Sequence, residues 1–229
     1  MPAAIEPAMR DASGHHRLPT DTDNGMLLII SGPSGVGKTT ITRGVERSIA
    51  DSVFSVSCTT RAKTPADVEG VDYHFVDDET FERMKADDAF LEHAGVYGKK
   101  YGTPREWVVE QLKRGRLVIL EIDVQGAAQV KAKLPDAFAI FILPPSEQEL
   151  LNRLEARKRE DGDLIRKRFA QAKAEIDAAR AGSVYDRFIV NRDVQEAIRE
   201  AVDEVLAARR RRASNPRRAG GSPDRTESV

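Results

Sequence analysis

Between the apolar run Met26-Leu-Leu-Ile-Ile-Ser31 and a helical pattern that opens near Thr40 stands Gly32-Pro33-Ser34-Gly35-Val36-Gly37-Lys38-Thr39. The spacing is that of G-x-x-x-x-G-K-[ST], and both flanks match what such a loop needs, a buried strand before it and a helix after it. Glycines let successive backbone N–H groups converge on phosphate oxygens, and the helix that follows adds the positive end of its dipole. Lys38 brings a charge to the β and γ phosphates, and the Thr39 hydroxyl is a ligand for Mg²⁺. A nucleoside triphosphate site is expected here.

Similar apolar runs recur at Leu117–Ile122, Ala137–Leu143 and Phe188–Val190, with helical patterns between them at 124–134, 147–157, 163–180 and 194–211. Strands that alternate with helices predict an α/β fold with a central parallel sheet flanked by helices. From about Val53 to Gly115 the pattern changes to short alternating pieces and glycine turns, which reads as an inserted subdomain. Within it, Thr103 as N-cap, Pro104 at the first helical position, Glu106 and Gly115 punctuate a helix. The expected organisation is a leader at 1–24, a domain at 25–212 (core 25–56 and 116–212, subdomain about 57–115) and a disordered tail at 213–229.

Composition narrows the function classes. Lys+Arg 36 against Asp+Glu 37 leaves a net charge of −1, without the basic excess that a dedicated nucleic-acid binder concentrates on one face. The arginines from Arg209 to Arg218 are the only hint of RNA or anionic-lipid binding, and a run without interleaved aromatics attracts such partners weakly. The single cysteine, Cys58, suits a reducing compartment. No apolar run is long enough to span a bilayer, and residues 1–24 lack the apolar centre of a secretory signal. A cytoplasmic protein is expected.

Triphosphate binding does not separate a switch GTPase from a motor or a small-molecule kinase, so the acceptor groups decide. Guanine presents N1–H and N2–H₂ donors that one carboxylate accepts together, and an O6 acceptor that takes a hydroxyl donor. Glu92, Ser57, Thr103 and Asp123 are groups of that kind; Arg61, Tyr73 and Tyr101 suit a monophosphate, which a guanidinium grips by two oxygens. Blander readings compete: a glutamate in a short strand is usually solvated, and a lone tyrosine is usually a half-buried core aromatic. Spacing does not choose between them.

Read in order, Ser31–Thr39, Ser55-Val-Ser-Cys-Thr-Thr-Arg61, Gly70-Val-Asp-Tyr-His-Phe75, Phe90-Leu-Glu-His-Ala94, Tyr101-Gly-Thr103, Ile122-Asp-Val-Gln-Gly126, Phe141-Ile-Leu-Pro-Pro-Ser146 and Ile189-Val-Asn191 resemble the blocks of guanylate kinases, over about residues 26–209. The resemblance implies a P-loop kinase of the nucleoside monophosphate class, with a central parallel sheet flanked by helices as its core, an inserted GMP-binding subdomain and a helical lid at about 154–170, and the reaction ATP + GMP giving ADP + GDP. It implies that Ser57 and Glu92 read guanine with Thr103 and Asp123 nearby, and that Arg61, Tyr73 and Tyr101 hold the GMP phosphate. Arg157 and Arg168 would reach the transferring group beside Lys38 and Arg61. Gly32 to Thr40 would hold ATP, Asn191 would lie near adenine, and Mg²⁺ would sit on Thr39 and, through water, on Asp123. Three positions depart from the pattern. Thr64 stands where a second phosphate-binding arginine is common, Glu121 replaces an aspartate, and Lys158 and Arg159 follow Arg157 where glycine is usual. Two alternatives to a guanylate kinase are a catalytically inactive scaffold of the same fold and a kinase acting on another phosphate ester, such as a sugar bisphosphate.

Overall fold

Every residue of Met26–Ser31 is buried, with Met26, Leu28 and Ile30 in one apolar cluster and Leu27 and Ile29 in another. A strand apolar on both faces belongs at the centre of a parallel sheet covered by helices on each side. The computed structural model describes residues 25–96, 98–156 and 162–214, together with residues 9–10 and 16–17. In chain order these hold β1 (Met26–Ser31), α1 (Lys38–Ser48), β2 (Ser52–Phe54), β3 (Cys58–Thr59), β4 (His74–Phe75), α2 (Asp78–Ala86), β5 (Phe90–Val96), β6 (Lys99–Pro104) and α3 (Arg105–Lys113). There follow β7 (Leu117–Glu121), α4 (Val124–Lys133), β8 (Phe138–Leu143), α5 (Glu147–Glu155), α6 (Gly162–Ala181), β9 (Arg187–Val190) and α7 (Val194–Ala213).

The core sheet has the order β9-β8-β1-β7-β2, parallel throughout. Helices α1 and α7 cover one face through Ile41, Val45, Ile198 and Val205. On the other face Val108 of α3 and Ala127 and Val130 of α4 pack on Leu27, Ile29, Val118 and Leu120, while α5 and α6 close over Phe141 and Leu143. The chain leaves β1 at the point where the strand order reverses, and in open α/β sheets ligands bind at that crevice, beyond the carboxyl ends of the strands. The second sheet, β4-β3-β6-β5, is mostly antiparallel and packs Phe90 against Phe81 of α2.

The structure corrects several expectations. Ser52–Phe54 pairs with β7 as the edge strand of the core sheet, so the alternation that began the inserted segment belongs to the core. Thr103 and Pro104 end β6, and α3 starts at Arg105 with Pro104 as its cap residue. The cap pattern was misleading because Thr103 spends its hydroxyl across the sheet on Glu92. The last helix runs to Ala213, two residues past the helical pattern expected at 194–211, and takes in the arginines at 209–212. Arg209 is 6% exposed and forks onto Asp51, 2.9 Å on the longer arm. The expected leader, Arg157 with its neighbours to 161, and residues 215–229 of the tail lie outside the described residues, apart from a pairing of Met9–Arg10 with His16–Arg17. No helix among the described residues is long and apolar enough to cross a membrane.

Candidate active site

Past the end of β1 the backbone turns through Gly32, Gly35 and Gly37 at φ of 147°, 86° and 96°, a region that residues with a Cβ rarely enter. Gly37 has a second constraint, because a Cβ there would lie 2.7 Å from the Asn191 amide nitrogen. The same amide donates to the Val36 carbonyl at 2.8 Å. Asn191 is 5% exposed and braces the loop through that bond. Lys38 Nζ donates to the carbonyls of Gly32 at 2.6 Å and Pro33 at 3.1 Å.

The loop forms one end of a cleft of about 380 Å³. Gly32, Ser34, Gly35, Gly37, Lys38, Thr39 and Thr40 line that end; Ser57, Tyr73, Glu92 and Tyr101 of the second sheet and its connecting segments line the other; Glu121 and Asp123 lie between. Thr39 donates its hydroxyl to Glu121 Oε1 at 2.7 Å, so the longer carboxylate at this position reaches the residue that would share a cation with it. Asp123 caps α4, with Oδ1 accepting from the Gly126 amide at 2.8 Å. Among the described residues no three His, Cys, Asp or Glu side chains converge as a metal cage. Mg²⁺ does not require one, since it keeps waters and takes phosphate oxygens beside one or two protein oxygens. Thr39, Glu121 and Asp123 fit it on those terms.

Glu92 is the chemically unusual group at the end of the cleft away from the loop. It is 3% exposed on β5, and burial pushes its carboxyl up to about 7, opposed by the hydrogen bond from Thr103 Oγ1 at 2.5 Å. Thr103 itself is buried behind it and does not line the cleft. Helix α4 fixes the strand that carries Glu92. Gln129 bonds both backbone groups of His93, at 3.2 and 2.8 Å, and Lys133 donates to the Leu91 carbonyl at 2.7 Å. At Gly126 the same helix comes so close that an added Cβ would overlap Glu92 Oε2.

Tyr73 and Tyr101 meet edge to face, 5.7 Å between ring centres. Burial first, then neighbouring Tyr101 and Glu121, raises the Tyr73 phenol to about 12, so it remains a hydrogen-bond donor at neutral pH. The Arg61 guanidinium lies 5.1 Å from the Tyr73 ring centre and forms a two-bonded pair with Asp67 at 2.9 and 2.8 Å. Thr64, one of the departures from the resemblance, binds the same carboxylate. Arg168 falls on the inward side of α6 with buried Ala172 but is not among the residues lining the cleft.

Sequence reasoning missed Asp67, Gly126 and Glu175. Glu175 of α6 lines the cleft, and burial raises its carboxyl against the hydrogen bond from Gln171 and the charge of Lys38. A Thr64-Pro65-Ala66-Asp67 turn was there to be read, but no pattern says where its carboxylate points.

Residues 24–209 match the family model described as guanylate kinase. A guanylate kinase of Coxiella burnetii is 44% identical over 186 residues, covering 81% of this chain and 89% of the relative. One of Thermobifida fusca is 44% identical over 181 residues, 79% of this chain and 89% of that one. Among solved structures, guanylate kinase from Anaplasma phagocytophilum superposes with a TM-score of 0.68 at 34% identity, covering 82% of this chain and 88% of its own.

Proposed function

This chain belongs to the guanylate kinase family, and on that premise we propose how its cleft carries a phosphoryl group from ATP to GMP, giving ADP and GDP. The carrying observation is a phosphate-cradling loop and a buried carboxylate facing each other across one cleft. ATP lies with its phosphates on the amides of Gly32 to Thr40, and Lys38 leaves the loop carbonyls for the β and γ phosphates. Glu92, as a carboxylate, accepts N1–H and N2–H₂ of guanine, Ser57 lies beside the base, and Thr103 keeps the second carboxylate oxygen aimed. Asp123 borders the base and the cation. Tyr73, Tyr101 and Arg61 hold the GMP phosphate.

Phosphoryl transfer asks for alignment and for neutralisation of charge spread over the equatorial oxygens of the moving group, with little covalent work by the protein. Lys38 and Arg61 supply fixed positive charge from the two ends, and Arg157 and Arg168 add theirs from the lid at about 154–170. Thr39, Glu121 and Asp123 are the groups that would hold Mg²⁺, which when bound would neutralise charge on the phosphates. The second sheet forms the GMP-binding subdomain and closes with the lid, which keeps water from taking the phosphoryl group. The work is done in the cytoplasm, where the buried Cys58 thiol, raised to about 11, stays reduced.

An ADP-release assay over a panel of acceptors tests this reading. GMP is expected to be phosphorylated at least about a hundredfold more efficiently than AMP, UMP or sugar phosphates, the discrimination expected of a site built to hydrogen-bond its substrate. Equal turnover of AMP, or no ADP formed with GMP, would overturn it.

A further inference from the structure

A guanidinium has five N–H donors, and at Arg61 the structure shows how they are shared. Nη1 donates to the Ala62 carbonyl at 3.1 Å and to Asp67 Oδ2 at 2.9 Å, and Nη2 donates to Asp67 Oδ1 at 2.8 Å. That occupies the end of the fork. Among the described residues, the Nε–H and the second Nη2–H, parallel along the side edge of the planar group, are the pair left over, and such an edge can donate to two phosphate oxygens at once.

Asp67 is itself held. Its Oδ2 accepts from the Thr64 amide and from the Thr64 hydroxyl, each at 2.6 Å, and its own amide donates back to the Thr64 carbonyl at 3.0 Å. Pro65 occupies the second position of this turn, where its fixed φ suits the geometry. The hydrogen bond from Arg61, followed by those from Thr64, holds the Asp67 carboxyl well below the usual carboxylate range. The clasp is therefore charged throughout the neutral range. The two side chains are 27% and 14% exposed. The effect of the clasp is geometric: it fixes the plane of a long, rotamer-rich side chain beside Tyr73, which lines the cleft.

We propose that Asp67, locked by Thr64, is a positioning residue that takes the end of the Arg61 fork and presents its side edge to the phosphate of GMP. The proposal rests on the reading of Arg61 as a phosphate-holding residue. The opposite arrangement, in which Asp67 occupies Arg61 and competes with the phosphate, makes the opposite prediction.

Asp67→Asn keeps the shape and removes the charge. It is expected to raise KM for GMP about tenfold, the loss that goes with one charge-assisted contact, with KM for ATP unchanged. Inhibition by guanosine, which carries the base without the phosphate, should be unaffected. Asp67→Glu should restore part of the loss; Thr64→Val should raise KM for GMP by about threefold, a weaker hydrogen-bond effect, and Thr64→Ser by less. In an Arg61→Ala background Asp67→Asn should add nothing. The proposal is overturned if Asp67→Asn leaves KM for GMP unchanged or lowers it, weakens guanosine equally, or adds its full loss on top of Arg61→Ala. If Arg61→Ala itself leaves KM for GMP unchanged, the phosphate reading fails first and the positioning role goes with it.

Discussion

At the donor end of the cleft the chain offers main-chain amides and a lysine from consecutive residues, Gly32 to Thr39; at the acceptor end it offers Ser57, Tyr73, Glu92 and Tyr101, drawn from two strands and the segments beside them. Local backbone angles shape the first, so it depends on glycine at a few positions and is insensitive to most side chains nearby. Strand pairing shapes the second. Glu92 faces Thr103 only because β5 and β6 are in register there, and a slip of one residue in either strand would turn that strand's side chain to the opposite face. On the proposed reading, binding the donor is a property of a short peptide in the right setting, whereas choosing the acceptor is a property of a whole sheet held against α4.

The comparison can be broken first at the donor end. Lys38→Ala should lower kcat by about a thousandfold or more, because charge neutralisation carries most of the rate, while guanosine affinity is unchanged; near-normal turnover of a folded variant in a steady-state assay would remove Lys38 from the chemistry. At the acceptor end, Glu92→Gln should cut kcat/KM for GMP about a hundredfold, as expected when a polar site is left mispaired, with ATP affinity unaltered by calorimetry.

Glu92 also gives a test in pH. On the proposed reading guanine meets the Glu92 carboxylate, so kcat/KM for GMP should fall as pH drops below about 7, and Glu92→Gln should abolish that limb. For stability the sign reverses. A carboxyl whose folded value lies above its unfolded 4.5 holds its proton longer in the native state, so its contribution is full at low pH and is lost as pH rises through about 7. Glu92→Gln should therefore stabilise the protein at pH 8, by about 3 kcal/mol, as its activity toward GMP falls; melting curves at pH 5 and pH 8 measure the difference. The smallest expected effect sharpens the contrast: Gly126→Ala pushes a methyl against Glu92 Oε2, and should lower kcat/KM for GMP about tenfold, the cost of a small misplacement in a positioned site, leaving KM for ATP unchanged.

The same contrast governs what could be read from the chain. The phosphate loop lies in one contiguous stretch between two recognisable elements, so local chemistry identifies it. The doubly buried run at Met26–Ser31 likewise announces the centre of a parallel sheet. At Thr103-Pro104-Arg105-Glu106 local chemistry misleads, because Thr, Pro and Glu imitate a helix start while the hydroxyl is taken by a carboxylate from another strand. Ser52–Phe54 misleads for a related reason: three residues do not say which sheet they join. Gly126 and Glu175 were silent because their importance depends on what approaches them from distant elements, and Arg209 because basic runs are usually solvated.

The fork between Arg209 and Asp51 ties one of the last helical turns to the segment between α1 and β2. A ribosome must therefore finish nearly the whole ordered chain before that buried carboxylate meets its guanidinium. Until then α1 also lacks the cover of α7, so the catalytic loop is translated early but gains its rigid footing late, and a message cut short before this point yields a chain with a charge stranded in its interior.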